Sequence, residues 1–425
     1  MFPAKEMLWH MERVILHIDA NSFYASVECL YRPQQRECPL SVCGDPEQRH
    51  GIVLASNTLE KQRGVKTGMA VWQAKQTCPG LVIVPPDYQL YLHFSKKLRA
   101  IYEQYSDRVE SFGLDECWVD VSNSGFGIED GLHCANEIRN RVKMELGITV
   151  SIGVSNNKIF SKLGSDYKKP DAVTVIPPVH FQEMIWKLPA SDLLYVGPKT
   201  TKKLRECNIM TIGDLAQAYT PMLEHKLGKN GLMLQAFANG LDRAPVMPTT
   251  TEVAIKSVGN STTTPFDIKT LDEARCVYYM LAESVGARMR ENGFRGRCIS
   301  ISIRTADLYT YSCQKTIDVP TNITSEIAEV ACRLFADRYQ RYFPLRSVGL
   351  SCTSLSLTKA PMQLDMFDNH AKREKLEAVG SAIDGIRKRF GNQVIQRGIV
   401  LAEPAIARIN PKDEHTIHLV AYFAG

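Results

Sequence analysis

The feature that most constrains this chain is the placement of acidic residues where short apolar segments end. The mostly apolar segment 14–18 stops at Asp19 and is followed by polar residues typical of a helix start. Further along, two short apolar segments flank Asp115 and Glu116, which predicts a β-hairpin with both carboxylates at its turn. Because strand ends can meet at one edge of a sheet, the sequence predicts a sheet domain with clustered acids there.

The length of 425 residues predicts several domains. Strand-like and helix-like patterns alternate through the first 177 residues, which favours a mixed α/β sheet. Short helical patterns with glycine turns follow, and the polar, proline-bearing segment 245–251 is typical of a linker. Alternating patterns return from residue 255, and the last part of the chain begins as a loop before one helix expected over 372–390.

Composition excludes several classes of protein. No apolar run approaches the ~20 residues that a membrane span needs, so we expect no membrane association. The 12 cysteines are scattered without a Cys-x-x-Cys pair, which argues against a zinc ribbon or a disulfide framework and favours the cytoplasm. No Gly-x4-Gly-Lys-[Ser/Thr] segment exists, so a P-loop nucleotide site is not expected. The net charge of +5 permits a polyanionic partner without requiring one.

The three acids also have an ordinary interpretation, in which Asp19 caps a helix and Asp115 with Glu116 forms a solvated turn. The alternative is metal binding, because hard cations such as Mg²⁺ prefer oxygen ligands. Two such ions ~3.5–4 Å apart can promote phosphoryl transfer. The surrounding sequence favours the second interpretation.

Three motifs, in order and with consistent spacing, resemble the Y family of DNA polymerases. Residues 17–28 (HIDANSFYASVE) resemble its first motif, an Asp at a strand end followed by a Phe-Tyr-Ala-x-Val-Glu helix. Residues 111–120 (SFGLDECWVD) are similar to the second catalytic motif, and residues 150–171 match a third that ends in Lys-Lys-Pro-Asp. The resemblance extends from residue 12 to about residue 370.

This resemblance implies a multidomain α+β polymerase. Its catalytic palm would carry a mixed or mainly antiparallel sheet, its fingers would be small, its all-α thumb would contain a helix-hairpin-helix, and an α/β little finger domain would grip DNA. The implied boundaries are a flexible extension at 1–11, a palm at 12–28 and 89–178, fingers at 29–88, a thumb at 179–243, a linker at 244–254, a little finger at 255–357 and a C-terminal tail at 358–425.

The matched positions imply a catalytic centre with two Mg²⁺ ions. Asp19, Asp115 and Glu116 would be the metal ligands, and the Ala20 carbonyl would add another oxygen. Tyr24 would be the steric gate that excludes a ribose 2′-hydroxyl, with Phe23 supporting it.

Three further residues would bind the triphosphate of the incoming nucleotide: Lys169, Lys61 and Thr58. Here the chain departs from the family, since many members have Tyr where Thr58 stands and Arg where Lys61 stands. Lys61 retains a point charge but lacks the planar fork of arginine. Thr58 offers one hydroxyl and no ring.

The resemblance also implies contacts with DNA and with a sliding clamp. The helix-hairpin-helix segment 195–204 would hold a phosphate through Gly197, Lys199 and Lys202, with Tyr195 in place of the usual first glycine. The basic cluster of the little finger would contact further phosphates through Arg288, Arg290, Arg295 and Arg297. The pentapeptide 363–367 resembles a clamp-binding segment, with contacts from Gln363, Leu364, Met366 and Phe367.

The function that follows is template-directed DNA synthesis from dNTPs on primer-template DNA, without a proofreading exonuclease. Small fingers would enclose the new base pair loosely, so we expect error-prone translesion synthesis in the SOS response to DNA damage by a monomer tethered to the clamp. Two alternatives are a non-catalytic DNA- and clamp-binding regulator and a nucleotide cyclase with a similar sheet. The intact acidic set argues against the first, and the DNA-binding segments argue against the second.

Overall fold

A computed structural model describes residues 13–46, 49, 51–122, 127–251, 254–339, 343–360 and 370–409. Over the described residues the chain forms two compact units: the first takes in residues up to 43 and from 53 to 251, and the second takes in residues 44–52 and those from 254 to 409. Over the described ranges, no helix combines the length and the apolar character needed to cross a bilayer.

The first unit contains three groups of elements. Its strands are β1 (Ile15–Ala20), β2 (Leu40–Cys43), β3 (Val53–Ser56), β4 (Val82–Val84), β5 (Val109–Ser111), β6 (Glu116–Asp120), β7 (Val150–Ser155) and β8 (Val173–Val175). Its helices are α1 (Phe23–Tyr31), α2 (Thr58–Gln62), α3 (Val71–Thr77), α4 (Tyr88–Tyr102), α5 (Ile128–Leu146), α6 (Lys158–Tyr167), α7 (Phe181–Ile185), α8 (Pro198–Arg205), α9 (Ile212–Gln217), α10 (Thr220–Leu227) and α11 (Lys229–Ala238). Short 3-10 turns lie at Pro33–Gln35 and Ala190–Asp192.

The predicted palm is a five-stranded sheet in the order β5-β6-β1-β7-β8. Strand β1 runs antiparallel to β6 and β7, while β7 and β8 are parallel, so the expected mixed sheet is confirmed. All six residues of β1 are buried, because the strand is central and the sheet is covered on both faces. Alternation along β1 turns Leu16 and Ile18 to the main core and turns His17 and Asp19 to the face covered by α6.

Close packing of α6 on the sheet depends on glycine. A Cβ atom at Gly153 of β7 would lie 1.9 Å from the Ser161 carbonyl oxygen of α6, and Gly164 approaches Gly153 in return. The helix can therefore rest directly on the sheet, next to the end of β1.

The predicted hairpin is confirmed. Strands β5 and β6 pair antiparallel, and the turn between them places Gly113 at a φ of 95°. Asp19 lies opposite Glu116 in the sheet, and the Ala20 N–H donates to the Asp115 carbonyl at 3.0 Å. This register brings all three predicted acidic residues to one edge of the sheet.

The fingers and thumb are small additions to this sheet. The fingers consist of the three-stranded sheet β3-β2-β4 with α2 and α3, and helices α7 to α11 form the all-α thumb. The predicted linker is anchored to the palm where the structure describes it. Val246 is buried against Ile15 and Trp118, and the Thr249 N–H donates to the Asp107 carbonyl at 2.8 Å.

The second unit is a four-stranded antiparallel sheet in the order β11-β10-β12-β9, with helices packed on one face. Its strands are β9 (Ser257–Ile268), β10 (Phe294–Thr305), β11 (Thr310–Thr321) and β12 (Leu345–Leu357), and its helices are α12 (Leu271–Glu291), α13 (Thr324–Arg338), α14 (His370–Phe390), α15 (Gly398–Leu401) and α16 (Pro404–Ala407). The α/β little finger predicted here is confirmed, with two strands, β9 and β11, that the sequence did not predict.

The unit extends beyond residue 357, where we placed the start of a tail. Val400, Ile406 and Ile409 are buried in the same core as α12 and α13. Helix α14 has no buried residue and is held by ion pairs, including Arg387 to Glu283 at 2.7 Å. Residues 370–409 therefore belong to this domain.

This assignment predicts that Ile406→Ala lowers the free energy of unfolding of the second unit by about 2–4 kcal/mol, because Ile406 is fully buried. The matched control is Ile386→Ala on α14, where the side chain is 40% exposed and the loss should be under about 1 kcal/mol. Urea unfolding followed by circular dichroism measures both. Equal effects of the two variants would show that the C-terminal segment is not part of the core.

Candidate active site

A cleft of about 650 Å³ opens at the end of β1, between the palm and the fingers. The structure gathers there the palm and fingers residues that the sequence predicted. Its lining includes Asp19, Ala20, Phe23, Tyr24, Thr58, Lys61, Asp115, Glu116 and Lys169.

The acidic edge of the cleft concentrates negative charge. Burial raises the pKa of Asp115 to about 7, and the neighbouring carboxylates of Glu116 and Asp19 add to this effect. Asp19 is only 5% exposed, so solvent screens these charges poorly. The site therefore favours binding of a proton or of another cation at Asp115.

Two lysines that follow β7 balance part of this charge. Lys162 of α6 lies 3.2 Å from Asp19 and 2.8 Å from Glu116, and Lys169 lies 2.6 Å from Asp19. Asp166 contacts both ammonium groups, at 3.3 Å from Lys162 and 2.7 Å from Lys169. Burial opposes the charged form of Lys162, but the three carboxylates outweigh it and raise its pKa.

Lys162 is a site residue that sequence reasoning missed. Its only signal was its position within the third motif, on the helix that packs against β1. The predicted contact of Lys169 with a triphosphate stays a prediction, and the structure places its ammonium group at the cleft.

The oxygen atoms at the cleft fit a hard divalent cation. Among the described residues, no three Asp, Glu, His or Cys side chains are already grouped to hold a metal ion, and Asp19 and Glu116 instead contact lysines. Nevertheless, Asp115, Glu116, Asp19 and the backbone of Ala20 all line one cleft, and oxygen donors suit Mg²⁺. Burial first and the neighbouring carboxylates second raise the pKa of Asp115, and a bound cation would stabilise its charged form.

His17 lies behind the acids rather than in the cleft. It is fully buried, with Nδ1 at 2.8 Å from the Ser165 hydroxyl and Nε2 at 3.2 Å from Glu116. Burial lowers the pKa of His17 well below its ordinary value, and the positive charge of Lys162 lowers it further. His17 is therefore placed to support Glu116 and Ser165 from behind rather than to act as a general base in the cleft.

The start of α1 presents the two aromatic residues of the first motif. Phe23 is buried, while Tyr24 is half-buried and reaches the cleft. Burial raises the pKa of Tyr24 to about 12, and Asp115 contributes to the shift, so the phenol stays neutral. Ser22, at a φ of 50°, begins the helix and accepts a hydrogen bond from Lys61 at 2.9 Å.

The fingers bring Thr58 and Lys61 to the same cleft from the short helix α2. Asn57 caps this helix by accepting a hydrogen bond from the Glu60 N–H at 3.1 Å. Thr58 and Lys61 are exposed as whole residues, but the ammonium group of Lys61 is partly buried. That burial, and secondly the nearby Lys169, lowers the pKa of Lys61. Both side chains are therefore accessible to a triphosphate in the cleft, and their role there stays a prediction.

In the thumb, Gly197 caps α8, and Lys199 and Lys202 are exposed on that helix. A Cβ atom at Gly197 would have no neighbour within 4 Å, so the backbone there is open to a ligand. Tyr195 adopts a φ of 70°, a conformation that glycine adopts more readily. Tyr195 therefore adopts the backbone conformation that a glycine at this position would favour.

The arginine cluster of the second unit requires a correction. Arg288 is buried and donates to the Gly259 carbonyl, and Arg290 pairs with Asp384 at 2.7 Å. Arg295 pairs with Glu377 at 2.9 Å. The prediction that the four arginines form one phosphate-binding surface is wrong, because these side chains hold the domain together, and of the four only Arg297 is exposed.

A different surface of this unit is open. The sheet face opposite the helices carries small residues in register across three strands, namely Gly259, Ser261, Ser300, Ser302, Gly349 and Ser351. The predicted clamp-binding residues Gln363, Leu364, Met366 and Phe367 lie outside the described residues.

Comparison with known proteins decides the family. A family model described as impB/mucB/samB family matches residues 18–166, and the model of its C-terminal domain matches residues 255–366. The DNA polymerase IV of Acetivibrio thermocellus is 50% identical over 399 residues, which cover 94% of this chain and 100% of that protein. The chain belongs to the bacterial DNA polymerase IV branch of the Y family.

Other matches agree with this assignment. DNA polymerase IV 1 of Bacillus subtilis is 36% identical over 390 residues, which cover 92% of this chain and 93% of that protein. A solved Y-family DNA polymerase chimera shares the fold, with a TM-score of 0.72, 23% identity, and coverage of 81% of this chain and 99% of that chain. The protein is thus a DNA-directed DNA polymerase of the translesion type.

The crowded acids make a prediction about stability and pH. The raised pKa of Asp115 means that the native state binds this proton more tightly than the unfolded state, so metal-free stability falls as the pH rises from about 4 to about 7. Asp115→Asn removes the buried charge and should stabilise the metal-free polymerase at both pH values, by roughly 2–3 kcal/mol more at pH 8 than at pH 5. Thermal and urea unfolding in EDTA at both pH values measure this.

The control is Asp107→Asn, which alters an exposed carboxylate and should change stability equally little at either pH. If Asp115→Asn destabilised the polymerase at pH 8, the acids would not repel one another as described.

Proposed function

We propose that the cleft extends a DNA primer by a two-metal mechanism, in which the primer 3′-oxygen bonds to the α-phosphorus of a paired dNTP while the bond to pyrophosphate breaks. The observation that carries this proposal is the meeting of three carboxylates, two lysines and a tyrosine at one cleft. That set matches the needs of phosphoryl transfer, which are cation binding, triphosphate binding and orientation of a sugar.

In this proposal the acidic residues bind the metal ions and the basic residues bind the triphosphate. Two Mg²⁺ ions, held by Asp19, Asp115, Glu116 and the Ala20 carbonyl, would supply Lewis-acid stabilisation of the attacking and leaving oxygens. Lys169 is placed to bind the triphosphate, and doing so would free Asp19, which it contacts at 2.6 Å. Lys61 and Thr58 approach the triphosphate from the fingers.

Tyr24 fits the role of steric gate. Its ring lines the cleft between the acids and the fingers, and Phe23 packs beside it with ring centroids 5.7 Å apart. A 2′-hydroxyl on the incoming sugar would meet this ring, so a deoxyribose is preferred.

DNA binding is best supported on two surfaces. The thumb offers Gly197, Lys199 and Lys202 to a phosphate, and the second unit offers its small-residue sheet face together with Arg297. Glycine and serine allow close approach of a sugar-phosphate backbone and supply hydroxyl donors. This surface replaces the arginine cluster in our proposal.

The proposal includes no proofreading step. The predicted palm, fingers, thumb and little finger account for the elements described between residues 13 and 409. The fingers present the short helix α2, part of β3 and Thr67 to the cleft, and we infer that so small a surface encloses the new base pair loosely and admits damaged templates.

Primer extension with Mg²⁺ and dNTPs tests the mechanism. Asp115→Asn should reduce extension by at least about 10³-fold while leaving DNA affinity unchanged, because it removes a cation ligand and not a DNA contact. The variant should also be stable, for the reason given above, so loss of activity cannot be ascribed to unfolding. Asp107→Asn serves as the matched control and should retain wild-type extension.

Near-wild-type extension by folded Asp115→Asn would overturn the metal assignment. Absence of extension by the wild-type protein, with DNA binding intact, would instead support a non-catalytic DNA-binding regulator.

The clamp segment has a separate test. Deletion of residues 363–367 should abolish stimulation by a bacterial sliding clamp while basal extension stays within about twofold, because the apolar side chains Leu364, Met366 and Phe367 would fill a pocket on the clamp. Extension on a long primed template, with and without clamp, measures the effect. A deletion variant that is still fully stimulated would refute the assignment.

A further inference from the structure

The first motif ends in a buried acid whose role the mechanism leaves unexplained. Glu28 is 1% exposed and lies on α1, one turn after Tyr24. Its carboxylate accepts hydrogen bonds from Arg32, the residue that follows α1, and from the Tyr91 hydroxyl of α4, the latter at 2.6 Å. A buried carboxylate is costly unless it is paired, so its place here needs a reason.

Tyr91 connects this acid to the cleft. Its side chain is fully buried, and its ring stacks on the Tyr24 ring with centroids 4.3 Å apart and planes 11° from parallel. Tyr88, one turn earlier on α4, meets the edge of both rings at 6.1 Å and 5.9 Å. The back of the Tyr24 ring is therefore supported by two rings from α4.

Tyr24 and Glu28 on α1 are connected to each other through Tyr91 on α4. Tyr24 and Glu28 are four residues apart on α1, so they share one face of the helix. Tyr91 binds both, by stacking on the first and by donating a hydrogen bond to the second. The hydrogen bond fixes the rotation of the Tyr91 ring, and the stack transfers that orientation to Tyr24.

We propose that Glu28 and Tyr91 are positioning residues that hold the Tyr24 ring against the incoming sugar and so set the discrimination between dNTPs and ribonucleotides. This inference rests on the proposed role of Tyr24 as the gate. A lone tyrosine at the rim of a cleft can move to another rotamer and admit a 2′-hydroxyl. Stacking on a ring that is itself anchored removes that freedom.

Packing alone does not explain the arrangement. A Phe or Leu would fill the position of Tyr91 without placing a hydroxyl in the core, and an apolar residue would replace Glu28 without a buried charge. The polar pair instead gives the ring one orientation, as expected of a residue that determines selectivity.

The experiment measures the kcat/KM ratio for dCTP over CTP on one primer-template with the full-length polymerase and Mg²⁺. Tyr91→Leu should lower this ratio about tenfold or more, mainly because the KM for CTP falls. Tyr91→Phe, which keeps the stack and loses the hydrogen bond, should lower it by a smaller factor. Glu28→Gln should resemble Tyr91→Phe.

The matched control is Phe94→Leu, which removes another buried aromatic ring from α4. Phe94 contacts Tyr31 and His93 and has no ring contact with Tyr24, so the ratio should not change. A fall of the ratio in Phe94→Leu equal to that in Tyr91→Leu would overturn the inference, because general loosening of the palm would explain both.

Tyr24→Ala separates this inference from the function on which it rests. If Tyr24→Ala leaves the ratio unchanged, the gate role itself fails. If Tyr24→Ala lowers the ratio while Tyr91→Leu, Tyr91→Phe and Glu28→Gln do not, the gate stands and the positioning role is refuted. On the Tyr24→Ala background, Tyr91→Leu should cause no further loss, because the group that it positions is absent. Should Tyr91→Leu fail to fold, Tyr91→Phe and Glu28→Gln decide the matter.

Discussion

The repulsion among Asp19, Asp115 and Glu116 is the constraint on which the catalytic centre depends. Three carboxylates meet at the edge of a buried sheet, where solvent screens them poorly. Cross-strand register places Glu116 opposite Asp19, so the fold cannot separate them. The protein tolerates this arrangement because Lys162 and Lys169 lie within hydrogen-bonding distance of Asp19. The charge that remains at Asp115 makes the cleft receptive to cations.

Backbone packing makes that compensation possible. Lys162 can reach the acids because α6 lies directly on the sheet, and α6 lies there because Gly153 and Gly164 lack side chains. Any larger residue at Gly153 would meet the Ser161 carbonyl and push the helix outward, with Lys162 on it. Gly153 and Gly164 carry no charge, but they determine where the Lys162 ammonium group lies and so affect the electrostatics of the cleft.

Prediction from sequence succeeded where the residues that determine a structural feature are close together in the chain. The hairpin, the mixed sheet and the acids of the cleft follow from local patterns, and the structure confirms their placement. Strands β9 and β11 were missed because they are edge strands with many polar residues, so their apolar alternation is weak. The arginine cluster was misjudged because its partners, Asp384 and Glu377, lie more than eighty residues away in sequence. A cluster of basic residues in the sequence shows that they are close together, but it does not show which groups they bind.

Local environment separates an acid that is paired inside the fold from the acids that line the cleft. Glu28 is as buried as any residue at the site, yet Arg32 and the Tyr91 hydroxyl satisfy it from two directions. Asp115 lies in the turn between β5 and β6, and two more acids, Glu116 and Asp19, are among its charged neighbours. Both residues stand within recognisable motifs, so the sequence alone gives them similar weight. The structure distinguishes them by what surrounds each charge, because Glu28 lies next to an arginine and a hydroxyl donor whereas Asp115 lies next to two further carboxylates.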